Sequence, residues 1–204
     1  MIKVGVLELQ GNFELHHKIL RDLGIGSAGV KFPEHLNCLD GLIIPGGEST
    51  TMSLLIDSFN LRNSILDFSE KKPVLGTCAG LILMSKKIEN DLKVNPLGIL
   101  DIVVDRNAYG RQIMSDKKHI EIKSKSQAFA DIQATLIRAP KIISMGKKVF
   151  PLGMIDNVPA AVSDGKHIGL SFHPELDGIS IFHKMLFDPS SKLFSNSFEI
   201  FNAA

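Results

Sequence analysis

Over its first half the chain alternates short apolar runs with amphipathic stretches. Ile2, Val4 and Val6 set β-branched residues through residues 2–9, and Gln10-Gly11 ends the run, which predicts a buried first strand. Over 13–23, Phe13, Leu15, Ile19, Leu20 and Leu23 recur near helical spacing until Gly24 stops them. Gly24 to Lys31 reads as a short second strand despite its glycines. Gly41-Leu42-Ile43-Ile44 predicts a buried strand opening into Pro45-Gly46-Gly47. Beyond it, Ser49 or Thr50 can cap a helix carrying Met52, Leu54, Leu55 and Ile56. Pro73 to Gly76 predicts the next strand, and Leu81 to Lys87 the helix after it. Short apolar strands alternating with helices predict a mainly parallel sheet covered on both faces.

From about residue 97 the pattern changes. Leu97–Val104, His119–Lys123, Ala134–Arg138, Ile142–Met145, Phe150–Met154, Ala160–Val162 and His167–Phe172 all read as short strands. Turn pairs such as Asp156-Asn157 and Asp164-Gly165 separate them. Ile179 to Phe187 predicts a closing helix, and residues 188–204 read as an additional helix or tail. No linker, repeat or long charge run divides the chain, so a single α/β domain over 1–204 with a β-rich second half is expected.

Composition narrows the chemistry mainly by exclusion. The 23 Lys+Arg nearly cancel the 22 Asp+Glu, leaving +1, which argues against a nucleic-acid binder working through bulk charge. Hydrophobic content of 44% against 22% charged residues excludes a mainly disordered chain. The apolar stretch Val74 to Met84 falls well short of the roughly 20 residues a membrane span needs. The N-terminal run is broken by Lys3 and Glu8 and lacks a small-residue cleavage site, so a cytoplasmic location is expected. Two cysteines, Cys38 and Cys78, exclude a disulfide scaffold. The histidines lack metal-ligand spacing: His16 and His17 are adjacent, and His35, His119, His167 and His183 stand apart, so no metal site is expected.

Gly76-Thr77-Cys78-Ala79-Gly80 lies between a predicted strand and a predicted helix. This G-x-C-x-G matches a nucleophile elbow, a tight turn that presents its central side chain at the sheet's C-terminal edge. A helix N-terminus behind a thiol favours its thiolate, and the Ala79 N–H is placed to donate to an oxyanion. His173-Pro174-Glu175 follows the last predicted strand. In extended backbone residues i and i+2 point the same way, so His173 could serve as base and Glu175 as its orienting acceptor. Pro45-Gly46-Gly47-Glu48-Ser49-Thr50 also follows a strand, and its glycines let backbone N–H groups approach an anionic centre. The spacing does not fit a phosphate-binding P-loop.

Taken together, G-T-C-A-G, P-G-G-E-S-T and H-P-E resemble the class I, triad-type glutamine amidotransferases. Leu9-Gln10-Gly11-Asn12-Phe13, Pro45 to Met52, Arg106 to Gln112 and Ile137-Arg138-Ala139-Pro140 narrow the resemblance to the glutaminase subunits of pyridoxal 5′-phosphate synthase. That resemblance spans residues 4 to about 187. It implies a flavodoxin-like three-layer sandwich, and hydrolysis of L-glutamine to glutamate and ammonia by Cys78, His173 and Glu175 through a γ-glutamyl thioester. It further implies an oxyanion hole at Gly47 and Ala79, and a glutamine site lined by Gly46, Gly47, Glu48, Arg106, Ile137 and Arg138. A guanidinium suits the substrate α-carboxylate and Glu48 its α-ammonium, though sequence leaves open which arginine serves. Gln10 would couple partner docking to the oxyanion region. The implied partner is a separate barrel-shaped synthase subunit that receives the ammonia in a hetero-oligomeric complex, and the glutaminase itself needs no cofactor.

Asn12, the segment Gly24 to Asn37, and Asp177 to Ile179 depart from the family's usual pattern, and none contains a member of the triad. Other readings are a glutaminase for a different synthase, a non-catalytic regulatory subunit of the same fold, and a general thiol hydrolase. Arg106 to Gln112 argues against the first, the intact triad against the second, and Glu48 with Arg106 against the third.

Overall fold

A computed structural model describes residues 2–106, 116–122 and 131–191. The first-half strands are β1 (Lys3–Leu7), β2 (Gly26–Val30), β3 (Gly41–Ile44) and β4 (Val74–Thr77), all paired in parallel. Their alternation sorts side chains between two cores. Val4, Val6, Ile43 and Leu75 face α1 (Phe13–Asp22) and the closing helix α5 (Ile181–Phe187), packing with Leu20, Phe182, Met185 and Phe187. Leu7, Leu42, Ile44 and Val74 belong to the opposite core with Met52 and Ile56 of α2 (Ser49–Ser58), Leu61 and Ile65 of α3 (Leu61–Ser69), and Leu81 of α4 (Ala79–Met84). Helices therefore cover both faces, and the three-layer sandwich expected from the sequence is present.

Three local readings need correction. The N-cap of α2 is Glu48 rather than Ser49 or Thr50: its carboxylate accepts the Thr50 and Thr51 N–H groups at 3.0 and 2.7 Å. α3 carries no counterpart in the periodicity reading, and it begins after Asn60, whose φ of 55° breaks the chain between two helices. Asn tolerates that conformation better than most residues. Finally, α4 stops at Met84 and does not reach Lys87. Ser85 turns extended and its hydroxyl donates to the Ile82 carbonyl at 2.7 Å, ending the helix. Residues Ser85–Ile88 become strand β5, with Ser85 and Ile88 buried and both lysines outside.

The second half supplies β6 (Leu100–Asp105), β7 (Asp116–Ile122), β8 (Asp131–Leu136), β9 (Lys141–Met145), β10 (Phe150–Ile155), β11 (Val158–Ser163) and β12 (Ile168–Leu170). These strands do not form one unit. The main sheet runs β2-β1-β3-β4-β12-β11-β10-β7-β8, while β5, β6 and β9 form a separate three-stranded sheet. Asp156 and Asn157 both take positive φ, 47° and 61°, making the hairpin turn between β10 and β11. The parallel order 2-1-3-4 followed by β12 is flavodoxin-like. β12 lies parallel beside β4, with Leu170 opposite Thr77, and β3 lies on the other side with Ile44 opposite Gly76. Thus the loops after β3, β4 and β12 leave the same sheet edge side by side.

Candidate active site

The loop after β4 is one residue long before α4 begins. Cys78 occupies it at φ 49°, ψ −101°, a left-handed conformation costly for a residue with a Cβ, and its N–H donates to Leu170 of β12 at 2.8 Å. The flanking Gly80 is needed for close approach, since a Cβ there would stand 2.0 Å from the Ile44 carbonyl oxygen of β3. The elbow expected from G-x-C-x-G is therefore present, with Ala79 as the first residue of α4 and its N–H among those a helix start leaves unpaired.

His173 follows β12 and is 5% exposed. Its N–H donates to the Thr135 carbonyl at 3.1 Å, tying this loop to β8. The ring Nδ1 sits 2.7 Å from Glu175 Oε1, as H-P-E suggested, but the backbone reason differs. Residues Pro174–Asp177 form a 3₁₀ turn rather than an extended strand, and the turn folds Glu175 back toward the ring. Asp177 fixes it by accepting the Thr135 N–H at 2.6 Å. Burial alone would lower the His173 pKa. The Cys78 sulfur and the Glu175 carboxylate outweigh burial and raise it to about 10.

The β3 loop closes the arrangement. Gly46 must lack a side chain because a Cβ would lie 2.2 Å from His173 Cε1. Gln10, after β1, accepts the Glu48 N–H at 2.7 Å and so grips the peptide next to Gly47. Together Gln10, Gly46, Gly47, Glu48, Cys78, Arg106, Ile137, Arg138 and His173 line a cavity of about 370 Å³. Cys78 Sγ lies 3.7 Å from the Ile137 carbonyl oxygen, to which the thiol form donates. Ile137 and Arg138 belong to the loop after β8, and Arg138 stands at φ 45°.

The polar end of this cavity is an internally balanced cluster. Arg106 donates to Asp91 at 2.7 Å, to Thr50 Oγ1 at 3.2 Å and to Glu48 at 3.4 Å. Burial would raise the Glu48 pKa, but the Thr51 and Thr50 donors outweigh it and hold the carboxyl at about 2. Glu48 is thus an anion whose two oxygens each accept one capping N–H of α2, Oε1 from Thr50 and Oε2 from Thr51. Of the family segment Arg106 to Gln112, residues 107–112 lie outside the described residues.

Two side chains that sequence reasoning set aside also reach this site from behind. His16 of α1 and His183 of α5, both fully buried, meet at 2.9 Å, and His16 Nε2 stands 3.6 Å from Glu175 Oε2. No local spacing could have found a pair separated by 167 residues. The other cysteine is elsewhere. Cys38 is exposed and lines a larger depression of about 720 Å³ between Pro33–Leu36 and α3, with no histidine in its lining.

The SNO glutamine amidotransferase family matches residues 6–188. A relative from Thermotoga neapolitana, "Pyridoxal 5′-phosphate synthase subunit PdxT", is 43% identical over 176 residues, covering 86% of this chain and 92% of the relative. A protein of the same name from Dehalococcoides mccartyi is 42% identical over 186 residues, covering 90% and 94%. Among solved structures, one described as a glutamine amidotransferase superposes with a TM-score of 0.81 at 37% identity, covering 89% of this chain and 95% of that one.

Proposed function

Because the chain belongs to the SNO glutamine amidotransferase family, we propose that Cys78, His173 and Glu175 are the triad with which it hydrolyses L-glutamine. The chain is the glutaminase subunit of a pyridoxal 5′-phosphate synthase, and it works in a complex with a synthase subunit. The observation that carries the triad is the placement of a buried elbow thiol, lining the cavity after β4, beside a carboxylate-bound imidazole after the adjacent β12.

The chemistry follows from those positions. Cys78 passes its thiol proton to His173 Nε2 and attacks the side-chain amide carbon, and the carbonyl electrons move onto oxygen. The Gly47 and Ala79 N–H groups receive that oxyanion. His173 hands its Nε2 proton to the departing nitrogen, so ammonia leaves and a γ-glutamyl thioester remains. Water then adds to the thioester, His173 accepts its proton, and collapse releases glutamate and restores the thiol pair. Glu175 holds Nδ1–H throughout, which keeps Nε2 directed at the sulfur and the leaving group.

Substrate orientation uses the charged rim. The Glu48 carboxylate receives the α-ammonium, and a guanidinium from Arg106 or Arg138 receives the α-carboxylate, with Gly46, Gly47 and Ile137 shaping the slot between them. Gln10 holds the Glu48 peptide, so a partner that shifts Gln10 shifts the neighbouring Gly47 donor. A barrel-shaped synthase subunit is the recipient of the ammonia in this reading.

Ammonia release from glutamine, with and without the synthase subunit, tests the assignment. Activity rises on adding the partner and is lost in Cys78→Ala. Equal release by Cys78→Ala would sink the mechanism, and a glutamine-analogue label landing on Cys38 would sink the nucleophile assignment.

A further inference from the structure

We propose that His16 is a positioning residue for this reaction: held by His183, it donates from Nε2 to the second oxygen of Glu175 and fixes the carboxylate that orients His173. The proposal rests on the triad reading above. Glu175 is 3% exposed, and its two oxygens have different fates. Oε1 takes the His173 Nδ1–H at 2.7 Å, whereas Oε2 is buried with no hydrogen-bond partner among the described residues. A buried carboxylate oxygen left unpaired is costly, so a donor belongs there. His16 Nε2 faces it at 3.6 Å, also 3.5 Å from Thr77 Oγ1, and a small tilt of the ring closes the contact.

The tautomer follows from the same geometry. Were the His16 proton on Nδ1, its Nε2 lone pair would face the Glu175 carboxylate, anion against lone pair. With the proton on Nε2, the carboxylate is satisfied and Nδ1 accepts from His183 Nε2–H at 2.9 Å. The bare nitrogen then falls on His183 Nδ1, which is buried without a partner. An unpaired lone pair at the far end of the chain is a smaller penalty than an unpaired carboxylate oxygen at the near end. Glu175 is thus the residue that selects the His16 tautomer, and His183 accommodates it by donating from Nε2 to His16 Nδ1.

The donor is neutral, and that matters to the chemistry. Burial, with the neighbouring His183 and His173 adding to it, holds His16 well below its ordinary pKa, and burial holds His183 at about 3. A cationic donor on Oε2 would compete with His173 for the charge of Glu175. A neutral N–H aligns the carboxylate and leaves its charge to the catalytic imidazole.

The test uses the full chain in complex with its synthase subunit and compares three variants. Gln places an amide N–H where His carries Nε2, whereas Asn reaches only the Nδ1 position, so His16→Gln and His16→Asn differ in the one contact at issue. His16→Phe and His16→Asn should lower kcat about tenfold to a hundredfold, the span of a lost hydrogen bond to a charged group, with KM within about twofold. His16→Gln should recover most of kcat. The second readout needs no substrate: in the ¹⁵N-histidine-labelled chain, the His173 Nδ1–H resonance shifts in His16→Asn and returns in His16→Gln. Equal kcat in the Gln and Asn variants, or a loss confined to KM, overturns the proposal. If wild type releases no ammonia, the triad reading falls, and the proposal is then decided by the resonance alone, an unmoved signal overturning it.

Discussion

His173 and His16 sit within one buried neighbourhood, yet they titrate in opposite directions. Burial pushes both down, and only at His173 do the hydrogen bonds with Cys78 and Glu175 outweigh it, raising it to about 10. A folded pKa above the unfolded value of about 6.5 means this ion-paired imidazole stabilises the fold fully below that pH. The contribution drains away as pH rises toward 10. A ¹H–¹⁵N titration of the His173 ring should therefore show a midpoint near 10 in wild type and a lower one in Glu175→Gln. A wild-type midpoint near the unperturbed value would refute the ion pair. At this scale the sequence was informative where chemistry is local: G-T-C-A-G and H-P-E each lie within five residues, and their side-chain types name their roles. His16 and His183 were opaque because their meaning comes from a contact across 167 residues, and an isolated histidine on a helix carries no sign of it.

Among elements, β4 and β12 bear the most on the proposed mechanism because each delivers one half of the thiol–imidazole pair. Their pairing is pinned at its start by His167, whose Nδ1 accepts the Val74 N–H at 3.1 Å. Burial lowers its pKa to about 4, against a raising effect from Asp164, so the ring stays an acceptor at neutral pH. Replacing it with Leu leaves the Val74 N–H buried and unpaired, and chemical denaturation should show a loss of about 1–3 kcal/mol. His167→Asn, which keeps an oxygen near the Nδ1 position, should lose less; equal losses would mean the ring matters only by its bulk. Strand existence was legible from apolar runs, and even the Gly-rich β2 paired as expected, because β1 supplies a complete ladder for it. Helix ends were less legible. Ser85 decides between continuing α4 and starting β5 by capturing the Ile82 carbonyl, a competition that periodicity cannot register.

For the molecule as a whole, buried neutral histidines govern its response to acid. His16, His167 and His183 are all depressed, the last two to about 4 and about 3. The unfolded chain takes up protons near pH 6.5 while the folded one refuses them, so stability falls as pH drops from there toward 3 to 4. Tm measured between about pH 7 and pH 4.5 should fall, and His183→Phe should shrink that fall whatever its Tm at neutral pH. An undiminished fall would show that other groups set the acid limit. Global architecture was legible in outline, with a parallel first half and a β-rich second half. Its division into two sheets was not, because β5 was read as helix and its removal left β6 and β9 without a reason to separate.

The place of β12 has a consequence for how the protein comes into being. It is the last of the described strands in the chain but the fifth in the main sheet, with four strands on either side. A growing polypeptide that has emerged through β11 holds two four-stranded pieces with no ladder between them. The centre of the sheet stays open until residues 168–170 leave the ribosome. Cys78 and His173 are brought together by that same final insertion, since the imidazole follows directly behind it. In the proposed mechanism Cys78 therefore gains its imidazole only after residues 168–173 have emerged, and a product stalled or truncated before β12 holds a cysteine without that partner.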